Sequence, residues 1–186
     1  MPSETQAHDP DEIAQLLAED GVSHTLMVPT LYNALLGQKQ RLSLGRWPDH
    51  VILAGEACLP SLARKHFDAS NGTRLTNEYG PTEATVWSLV HHLSPEETEV
   101  AAGRPVPGTW VAILTPDGTP APLGTLGEIV IGGPLVAHGY LSAPEADQAR
   151  FGSSTVPDHL GERVYRTGDL GVMRDGLIYY AGRMDD

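Results

Sequence analysis

The stretch Asn77-Glu78-Tyr79-Gly80-Pro81-Thr82-Glu83 joins the end of a predicted β-strand to a tight turn. The strand is the run Thr73–Asn77, and Gly80-Pro81 ends it, because proline cannot donate to a strand ladder and Gly-Pro favours turns. The face of Tyr79 can stack on a flat ring. The adjacent hydroxyl and carboxylate of Thr82 and Glu83 suit a hard cation that carries phosphate. The stretch therefore predicts a ligand site at a strand end.

The residues before this stretch alternate between helical and strand-like patterns. A helix is predicted after Asp9, with Pro10 in its first turn and Glu12 completing a capping box. Strand, helix, strand, helix and strand in this order predict a parallel sheet with flanking helices, because such crossovers are right-handed. Ligands bind at the carboxyl ends of parallel strands. Two further helices are predicted, one containing Leu31, Leu35 and Leu36 and the other containing Leu62, Ala63 and Phe67. The predicted strands are His24–Val28, Val51–Ala54 and Thr73–Asn77. A site is expected at the strand ends 28–30, 54–57 and 77–80.

The second half of the chain is rich in turn-forming residues. Of 186 residues, 20 are glycine and 15 are proline, and they separate short β-branched runs after Gly103. A capping box from Ser142 to Glu145 predicts one helix, up to Phe151. We expect an α/β protein in which a partial parallel sheet is followed by a small distorted antiparallel β-barrel subdomain. The predicted strands are 109–114, 127–131, 163–166, 171–173 and 176–180, and the predicted domains are 1–103 and 104–184, with 185–186 as a hinge to an absent C-terminal domain.

Composition excludes several classes of function. The chain has 12 Lys and Arg against 24 Asp and Glu, and its formal net charge is −12. Sequence-independent binding to nucleic acid or to an anionic membrane needs a basic surface, so neither partner is expected. Cys58 is the only cysteine, which leaves no disulfide framework. No apolar run approaches the ~20 residues of a membrane-spanning helix, and a cytoplasmic location is expected.

Four blocks of sequence resemble the motifs of one enzyme family. The first is Asn77–Glu83, which resembles the core motif of adenylate-forming enzymes, above all the adenylation domains of nonribosomal peptide synthetases. The others occur in the same order and spacing, and Ala54-Gly55-Glu56-Ala57 also matches upstream. The remaining blocks are Gly127–Pro134 with Gly139-Tyr140-Leu141, then Tyr165–Leu170, and Gly182–Asp186.

The resemblance implies a site for ATP or AMP. Tyr79 would stack on adenine and Asp169 would accept hydrogen bonds from both ribose hydroxyls. Thr82 would contact the α-phosphate, and Glu83 would hold Mg²⁺ between phosphate oxygens. Arg183 would reach ribose or phosphate, so Thr82, Glu83 and Arg183 are the implied catalytic residues. The other implied nucleotide-binding positions are Gly55, Glu56, Ala57, Asn77, Glu78, Gly80 and Tyr180, and Asp185 marks the hinge.

The resemblance also implies a pocket for the acid that is activated. Most of its side chains are apolar and Glu78 is the exception. A carboxylate in an apolar pocket is costly unless it is paired. Glu78 would therefore select a basic or amide-bearing amino acid, or else it turns toward water or pairs with Arg74. The pocket-lining positions are Leu26, Ile52, Ala54, Glu78, Val86 and Trp87.

The implied activity belongs to the ligases of secondary metabolite biosynthesis. ATP activates the carboxylate of an amino acid or another acid as an acyl-AMP, and the acyl group then passes to the phosphopantetheine thiol of a carrier protein. We expect a fragment that is inactive alone, because the Lys-Gly phosphate loop, the C-terminal lysine and the aspartate for the substrate amine are not found between Met1 and Asp186. The missing segments of the same synthetase are then possible partners. Two alternatives are a non-catalytic nucleotide-binding or complementing subunit and a fragment of an acyl- or aryl-acid CoA ligase.

Overall fold

The computed structural model describes residues 9–38, 47–70, 72–141 and 150–185. The chain forms two compact units, of which one comprises Met1–Glu78 with His92–Val100 and the other Tyr79–His91 with Ala101–Asp186. The domain boundary predicted near Gly103 stays a prediction. The described helices are α1 (Pro10–Glu19), α2 (Pro29–Gly37) and α3 (Pro60–Ala69), and the strands are β1 (His24–Met27), β2 (His50–Leu53), β3 (Arg74–Tyr79), β4 (Leu89–His92), β5 (Arg104–Pro105), β6 (Trp110–Leu114), β7 (Gly127–Gly132), β8 (Phe151–Ser153), β9 (Arg163–Arg174) and β10 (Leu177–Arg183).

All three helices begin with proline, whose missing N–H costs nothing at that position. Asp9 caps α1 as predicted, since its Oδ1 accepts a hydrogen bond from the backbone N–H of Asp11 at 2.9 Å. Helix α2 follows Val28, which has no capping side chain. Its cap comes instead from Glu56, whose carboxylate accepts hydrogen bonds from the backbone N–H of Thr30, at 3.0 Å, and from the Thr30 hydroxyl.

Strands β1, β2 and β3 form the predicted parallel sheet of the first unit. Leu26 lies opposite Ile52, and Ile52 lies opposite Thr76, so even-numbered residues share one face of the sheet. The odd-numbered residues Val51, Leu53 and Leu75 are buried in one cluster with side chains of the three helices. The helices therefore cover the odd face, and the even face carries the predicted pocket residues Leu26, Ile52, Ala54 and Glu78.

A buried polar pair lies inside the helical layer. The Tyr32 hydroxyl is hydrogen bonded to Nδ1 of His66 at 2.5 Å, and Nε2 of His66 lies 3.0 Å from the Thr73 carbonyl oxygen. Because a carbonyl can only accept, the proton of a neutral His66 is on Nε2 and Nδ1 accepts from Tyr32. Burial lowers the pKa of His66, although the hydrogen bond to Thr73 opposes this. The histidine is therefore neutral in the folded chain.

Antiparallel strands dominate the second unit. Their order is β10-β9-β7-β6, with β8 beside β9, and β4 pairs with β5. All six residues of β7 are buried. Ile129, Ile131 and Ile178 form the centre of the core of this unit. Asp175 and Gly176 both have positive φ between β9 and β10, as a tight two-residue hairpin turn requires.

Two predictions about this sheet are wrong. The runs 163–166 and 171–173 form one twelve-residue strand, β9, because the Gly168 conformation between them produces a bulge and not a turn. Phe151 begins strand β8 and does not end a helix, and it packs against Tyr165 with ring centroids 5.1 Å apart. The rest of that helix prediction, from Ser142 to Arg150, falls mainly on 142–149, which lie outside the described residues.

The fold class is thus a mixed α/β fold with a parallel sheet followed by an antiparallel sheet, as predicted. In the described part of the chain, β6 and β10 are the two ends of the antiparallel order, so these residues form an open sheet. The small distorted barrel stays a prediction. None of the helices in residues 9–38, 47–70, 72–141 and 150–185 has the length and apolar character needed to cross a bilayer.

We expect the stability of the first unit to fall as the pH drops below about 6.5, the ordinary pKa of histidine. A pKa lowered by folding means that the unfolded chain binds more protons, so ΔG of unfolding rises with pH above the folded pKa. For His66 the slope is at most about 1.4 kcal/mol per pH unit. Urea unfolding from pH 8 to pH 5 should show a smaller slope for His66→Gln than for the parent chain. His138→Gln changes an exposed histidine and is the control, which should leave the slope unchanged. Equal slopes for His66→Gln and the parent would contradict a neutral, buried His66.

Candidate functional site

The bulge in β9 turns Asp169 out of the regular ladder. Gly168 has a φ of 73°, which glycine adopts without strain, and the register between β7 and β9 shifts beside it. The Thr167 hydroxyl donates to the Ile129 carbonyl at 2.7 Å and accepts from the backbone N–H of Asp169 at 2.9 Å. These bonds hold the bulge, which positions the Asp169 carboxylate.

Asp169 connects three separate parts of the second unit. Its Oδ2 accepts a hydrogen bond from the Tyr79 hydroxyl at 2.5 Å, and its Oδ1 lies 3.0 Å from Nη1 of Arg183. The Asp169 side chain is only 14% exposed. Burial raises the pKa of Tyr79, and the hydrogen bond to Asp169 raises it further, so Tyr79 remains a proton donor at neutral pH. A carboxylate offers about four acceptor positions, so Asp169 keeps capacity for further donors.

Two more predicted residues lie beside this group. The ring centroid of Tyr180 lies 6.2 Å from that of Tyr79, and the Tyr180 side chain is 40% exposed. Asp185 accepts two hydrogen bonds from Arg183, from Nε at 2.8 Å and from Nη2 at 3.3 Å. These hydrogen bonds lower the pKa of Asp185 and raise that of Arg183. Arg183 is therefore a fixed cation shared by Asp169 and the predicted hinge residue.

Thr82 and Glu83 lie in a single 3₁₀ turn, Thr82–Ala84. Thr82 is exposed and Glu83 is half-buried. Oε1 of Glu83 accepts a hydrogen bond from the Tyr140 hydroxyl at 2.5 Å, and its backbone carbonyl accepts from the N–H of Ala137 at 2.8 Å. Burial raises the pKa of Glu83, but the Tyr140 hydrogen bond, a backbone hydrogen bond and the Tyr165 hydroxyl outweigh it, with a smaller effect of the Arg150 charge, and the pKa is lowered overall. Glu83 is thus an ionised carboxylate held in one orientation.

The backbone after this turn is strained. Thr85 and Val86 have φ values of 59° and 74°, and a β-branched residue rarely adopts that region. The backbone N–H of Trp87 donates to the Thr85 carbonyl at 3.0 Å across Val86. This conformation leaves Val86 66% exposed and Trp87 39% exposed. Strain of this kind accumulates at ligand sites, where the surrounding structure compensates for it.

In the first unit, three of the predicted nucleotide positions follow β2. Gly55 has a φ of 84°, and Gly55, Glu56 and Ala57 are exposed. The Glu56 carboxylate caps helix α2 through Thr30. Asn77 is buried in β3. The structure therefore gives Glu56 a structural task, and the nucleotide contacts of these four residues stay predictions.

The pocket residues of the first unit share the even face of the parallel sheet. Leu26 lies beside Ile52 and is 58% exposed, and Ala54 and Glu78 follow on the same side of their strands. Burial raises the pKa of Glu78. Within residues 9–38, 47–70, 72–141 and 150–185, Glu78 makes no ion pair with Arg74, which removes one of the two alternatives to a substrate role.

Glu128 and Arg166 lie in the motif blocks, but no role was predicted for either of them from the sequence. The structure pairs them: Oε2 of Glu128 accepts from Nη2 of Arg166, and Oε1 accepts from the backbone N–H of Gly168 at 3.1 Å. Glu128 thus supports the bulge from strand β7. Their positions within two of the blocks were the available signal. Tyr140, in the same block as Glu128, was missed in the same way.

The fold and these groups define a class of protein. A solved four-domain nonribosomal peptide synthetase, bound to AMP and glycine, matches the chain with a TM-score of 0.88 and 30% identity over 99% of this chain and 14% of that one. A second synthetase, solved with α-methyl-L-serine-AMP bound, matches with a TM-score of 0.84 and 31% identity over 96% of this chain and 21% of that one. The chain therefore has the fold found in nonribosomal peptide synthetases that contain adenylation domains.

The chain belongs to the AMP-binding enzyme family, which matches residues 1–141. Among curated proteins, it is 35% identical to gramicidin S synthase 2 of Aneurinibacillus migulanus over its whole length, and 39% identical to bacitracin synthase 3 of Bacillus licheniformis over 95% of its length. It spans only 4% and 3% of those relatives. The resemblance drawn from the four motif blocks is thus confirmed at the level of the family.

We expect Gly80→Ala to destabilise the second unit. A Cβ on Gly80 would lie 2.6 Å from both the Ser88 nitrogen and the Trp87 Cα, and backbone atoms cannot move aside as a flexible side chain can. The predicted loss is about 2 kcal/mol or more. Gly152→Ala is the matched control, because nothing lies within 4 Å of the Cβ it would add. Thermal melts of the two variants should differ, and equal melting temperatures would show that this turn can open without cost.

We expect Tyr140→Phe to raise the pKa of Glu83. The substitution removes the hydroxyl that donates to Oε1 and leaves the ring in place. A ¹³C-carboxyl NMR titration of Glu83 measures the change directly. Tyr179→Phe removes the same atom from a side chain whose ring instead lies 4.0 Å from the Arg174 guanidinium, and it should leave Glu83 unchanged. An unaltered Glu83 titration in Tyr140→Phe would contradict the hydrogen bond.

Proposed function

We propose that the chain is the nucleotide-binding part of an amino-acid adenylation domain. In this reaction the carboxylate of an amino acid attacks the α-phosphate of ATP, an acyl-AMP forms, and pyrophosphate leaves. The acyl group then passes to a carrier-protein thiol with release of AMP. The observation that carries the proposal is the group formed by Tyr79, Asp169 and Arg183, because it presents a fixed carboxylate beside aromatic rings.

The donor and acceptor chemistry of this group fits a nucleoside. The remaining acceptor positions of Asp169 suit two adjacent ribose hydroxyls, since a carboxylate can accept from both at once. Tyr180 offers an exposed aromatic face for a base. Relatives solved with AMP or an aminoacyl-AMP support the same assignment. The antiparallel sheet of the second unit would then correspond to the barrel subdomain predicted from the sequence.

The residues present also fit Mg²⁺, provided that phosphate supplies part of its coordination. In the described ranges, no group of three or more His, Cys, Asp or Glu side chains could hold a metal ion by itself. Mg²⁺ typically binds one or two carboxylates together with substrate phosphates and water. Glu83, oriented by Tyr140, would be the carboxylate, and the exposed Thr82 hydroxyl would contact phosphate. The ion would neutralise charge that develops on the phosphoryl oxygens.

The whole synthetase supplies the remaining functions. The chain spans 4% or less of the two curated relatives named above. We therefore propose, by similarity to these relatives, that the complete synthetase activates an amino acid and transfers it to a carrier protein. The peptide-synthetase relatives favour an amino acid over a fatty or aryl acid. Glu78, whose pKa burial raises, would favour a basic or amide-bearing side chain. Activity of this chain alone is not expected.

We expect the 186-residue chain to bind adenosine and AMP weakly, with a Kd in the millimolar range, which corresponds to roughly −4 kcal/mol. Asp169→Ala should abolish binding and Asp169→Asn should weaken it, because the ribose hydroxyls lose a charged acceptor. NMR titration is suited to such affinities. Asp158→Ala, an exposed aspartate of the same unit, is the control. Binding by Asp169→Ala that equals binding by the parent would refute the ribose assignment.

A further inference from the structure

Residues 135–140 form an irregular segment that contacts the turn carrying Glu83. They lie between β7 and β8 and belong to no helix or strand. The backbone N–H of Ala137 donates to the Glu83 carbonyl at 2.8 Å, and the Tyr140 hydroxyl donates to Oε1 of Glu83 at 2.5 Å. The segment 135–140 therefore holds both the backbone and the carboxylate of Glu83.

Arg163, the first residue of β9, binds this segment through its backbone. Its Nε donates to the Ala137 carbonyl at 2.8 Å, and its Nη2 donates to the His138 carbonyl. Carbonyl groups outside helices and strands still need hydrogen-bond donors, and the guanidinium supplies them here. Because a guanidinium is planar and rigid, its two donors fix these successive carbonyls relative to each other. Arg163 thus limits the motion of the peptide units next to Tyr140.

Phe151 provides a second connection between Arg163 and Tyr140. The guanidinium carbon of Arg163 lies 5.1 Å from the centroid of the Phe151 ring, within the range of a cation–π contact. The Tyr140 ring meets the Phe151 ring edge to face, with centroids 5.4 Å apart. The Tyr140 side chain is therefore held near its backbone and at its ring by groups that contact Arg163.

We propose that Arg163 is a positioning residue for Glu83, which acts through Tyr140 and keeps the Glu83 carboxylate oriented for Mg²⁺. Its hydrogen bonds go to carbonyls of the segment 135–140, so its effect on Glu83 passes through that segment. A purely structural role for Arg163 predicts a different result, since its loss would then lower the stability of the second unit and leave Glu83 unchanged. The inference rests on the proposed function for the metal, but not for the orientation of Glu83.

A ¹³C-carboxyl NMR titration of Glu83 in the 186-residue chain tests the positioning without any ligand. Arg163→Gln should raise the pKa of Glu83, because the Tyr140 hydroxyl is then no longer held against Oε1. The lost positive charge raises that pKa too, and a double-mutant cycle with Tyr140→Phe separates the two effects. The effect of charge is the same with or without the Tyr140 hydroxyl, whereas the effect through Tyr140 disappears with it. Arg163→Gln should therefore raise the Glu83 pKa less in Tyr140→Phe than in the parent.

Two further variants complete this test. Arg174→Gln is the matched control, because Arg174 is the last residue of β9 and its guanidinium also lies over a ring, 4.0 Å from the centroid of Tyr179. It should leave the Glu83 titration unchanged. Arg163→Lys keeps the charge but loses the planar pair of donors, so it should raise the Glu83 pKa by less than Arg163→Gln does.

The titration can also contradict the proposal. Equal Glu83 titrations in the parent and in Arg163→Gln would overturn it, and so would a shift of the same size in the parent and in Tyr140→Phe. Thermal melts establish that each variant is folded. If Arg163→Gln does not fold, Arg163→Lys decides by the same comparison with and without the Tyr140 hydroxyl.

Titrations with ATP and adenosine connect the orientation of Glu83 to the metal. Mg²⁺ should tighten ATP binding by the parent, and Arg163→Gln should reduce that gain by about threefold, less than the roughly 10–100-fold cost of losing a group bonded to a metal ligand. Adenosine binding should not change, because its proposed partners belong to the Asp169 group. A gain from Mg²⁺ that is undiminished in Arg163→Gln would overturn the link between Arg163 and the metal. A parent chain whose ATP binding gains nothing from Mg²⁺ would refute the proposed metal role of Glu83, and the Glu83 titration would still decide whether Arg163 positions it.

Discussion

The carboxylate of Asp169 is the point on which the second unit depends. It is nearly buried, and a buried charge is tolerated only where partners compensate for lost hydration. Tyr79 supplies a hydroxyl from the end of β3 and Arg183 supplies a charge from the end of β10. Replacing a buried ion pair with apolar side chains is often neutral or stabilising, so stability alone does not explain this arrangement. The proposed ribose contact would account for a carboxylate at this position.

Hydrogen bonds from the surrounding side chains hold this carboxylate and its neighbours in place. Thr167 fixes the bulge from within β9, and Glu128 fixes it from β7 by accepting the N–H of Gly168. Glu83 is oriented in the same manner by the Tyr140 hydroxyl. In each case a side chain that touches no proposed ligand limits the motion of one that does. Such support is what keeps a binding geometry constant between ligand-free and ligand-bound states.

The sequence predicted the elements well where local patterns determine them. Apolar spacing located all three described helices, Pro10 marked the start of α1, and the alternation of strands and helices indicated the parallel sheet. The errors occurred where tertiary hydrogen bonds decide the outcome. Glycine is a residue type typical of turns, yet hydrogen bonds from Thr167 and to Glu128 keep β9 continuous through Gly168. The N-terminus of helix α2 shows the same limit, since its capping carboxylate is twenty-six residues away at Glu56.

The candidate site was predicted in its residue types and not in its internal contacts. The motif blocks identified Tyr79, Asp169 and Arg183, but nothing in the sequence indicates that Tyr79 donates to Asp169 or that Glu83 is held by a tyrosine fifty-seven residues away. The positive φ values of Thr85 and Val86 were equally invisible, because neither residue type signals that conformation.

That strain nevertheless has a readable cause. Gly80 allows the backbone of Trp87 and Ser88 to approach within a distance that any side chain would forbid. The N–H of Ser88 then donates to the Tyr79 carbonyl at 2.8 Å, so the chain must reverse direction between Glu83 and Trp87. The Thr85 hydroxyl anchors that reversal by donating to the Leu135 carbonyl at 2.7 Å. Thr85 and Val86 adopt an unfavourable backbone conformation, and this conformation closes the segment that begins at Tyr79 and carries Glu83 in its middle.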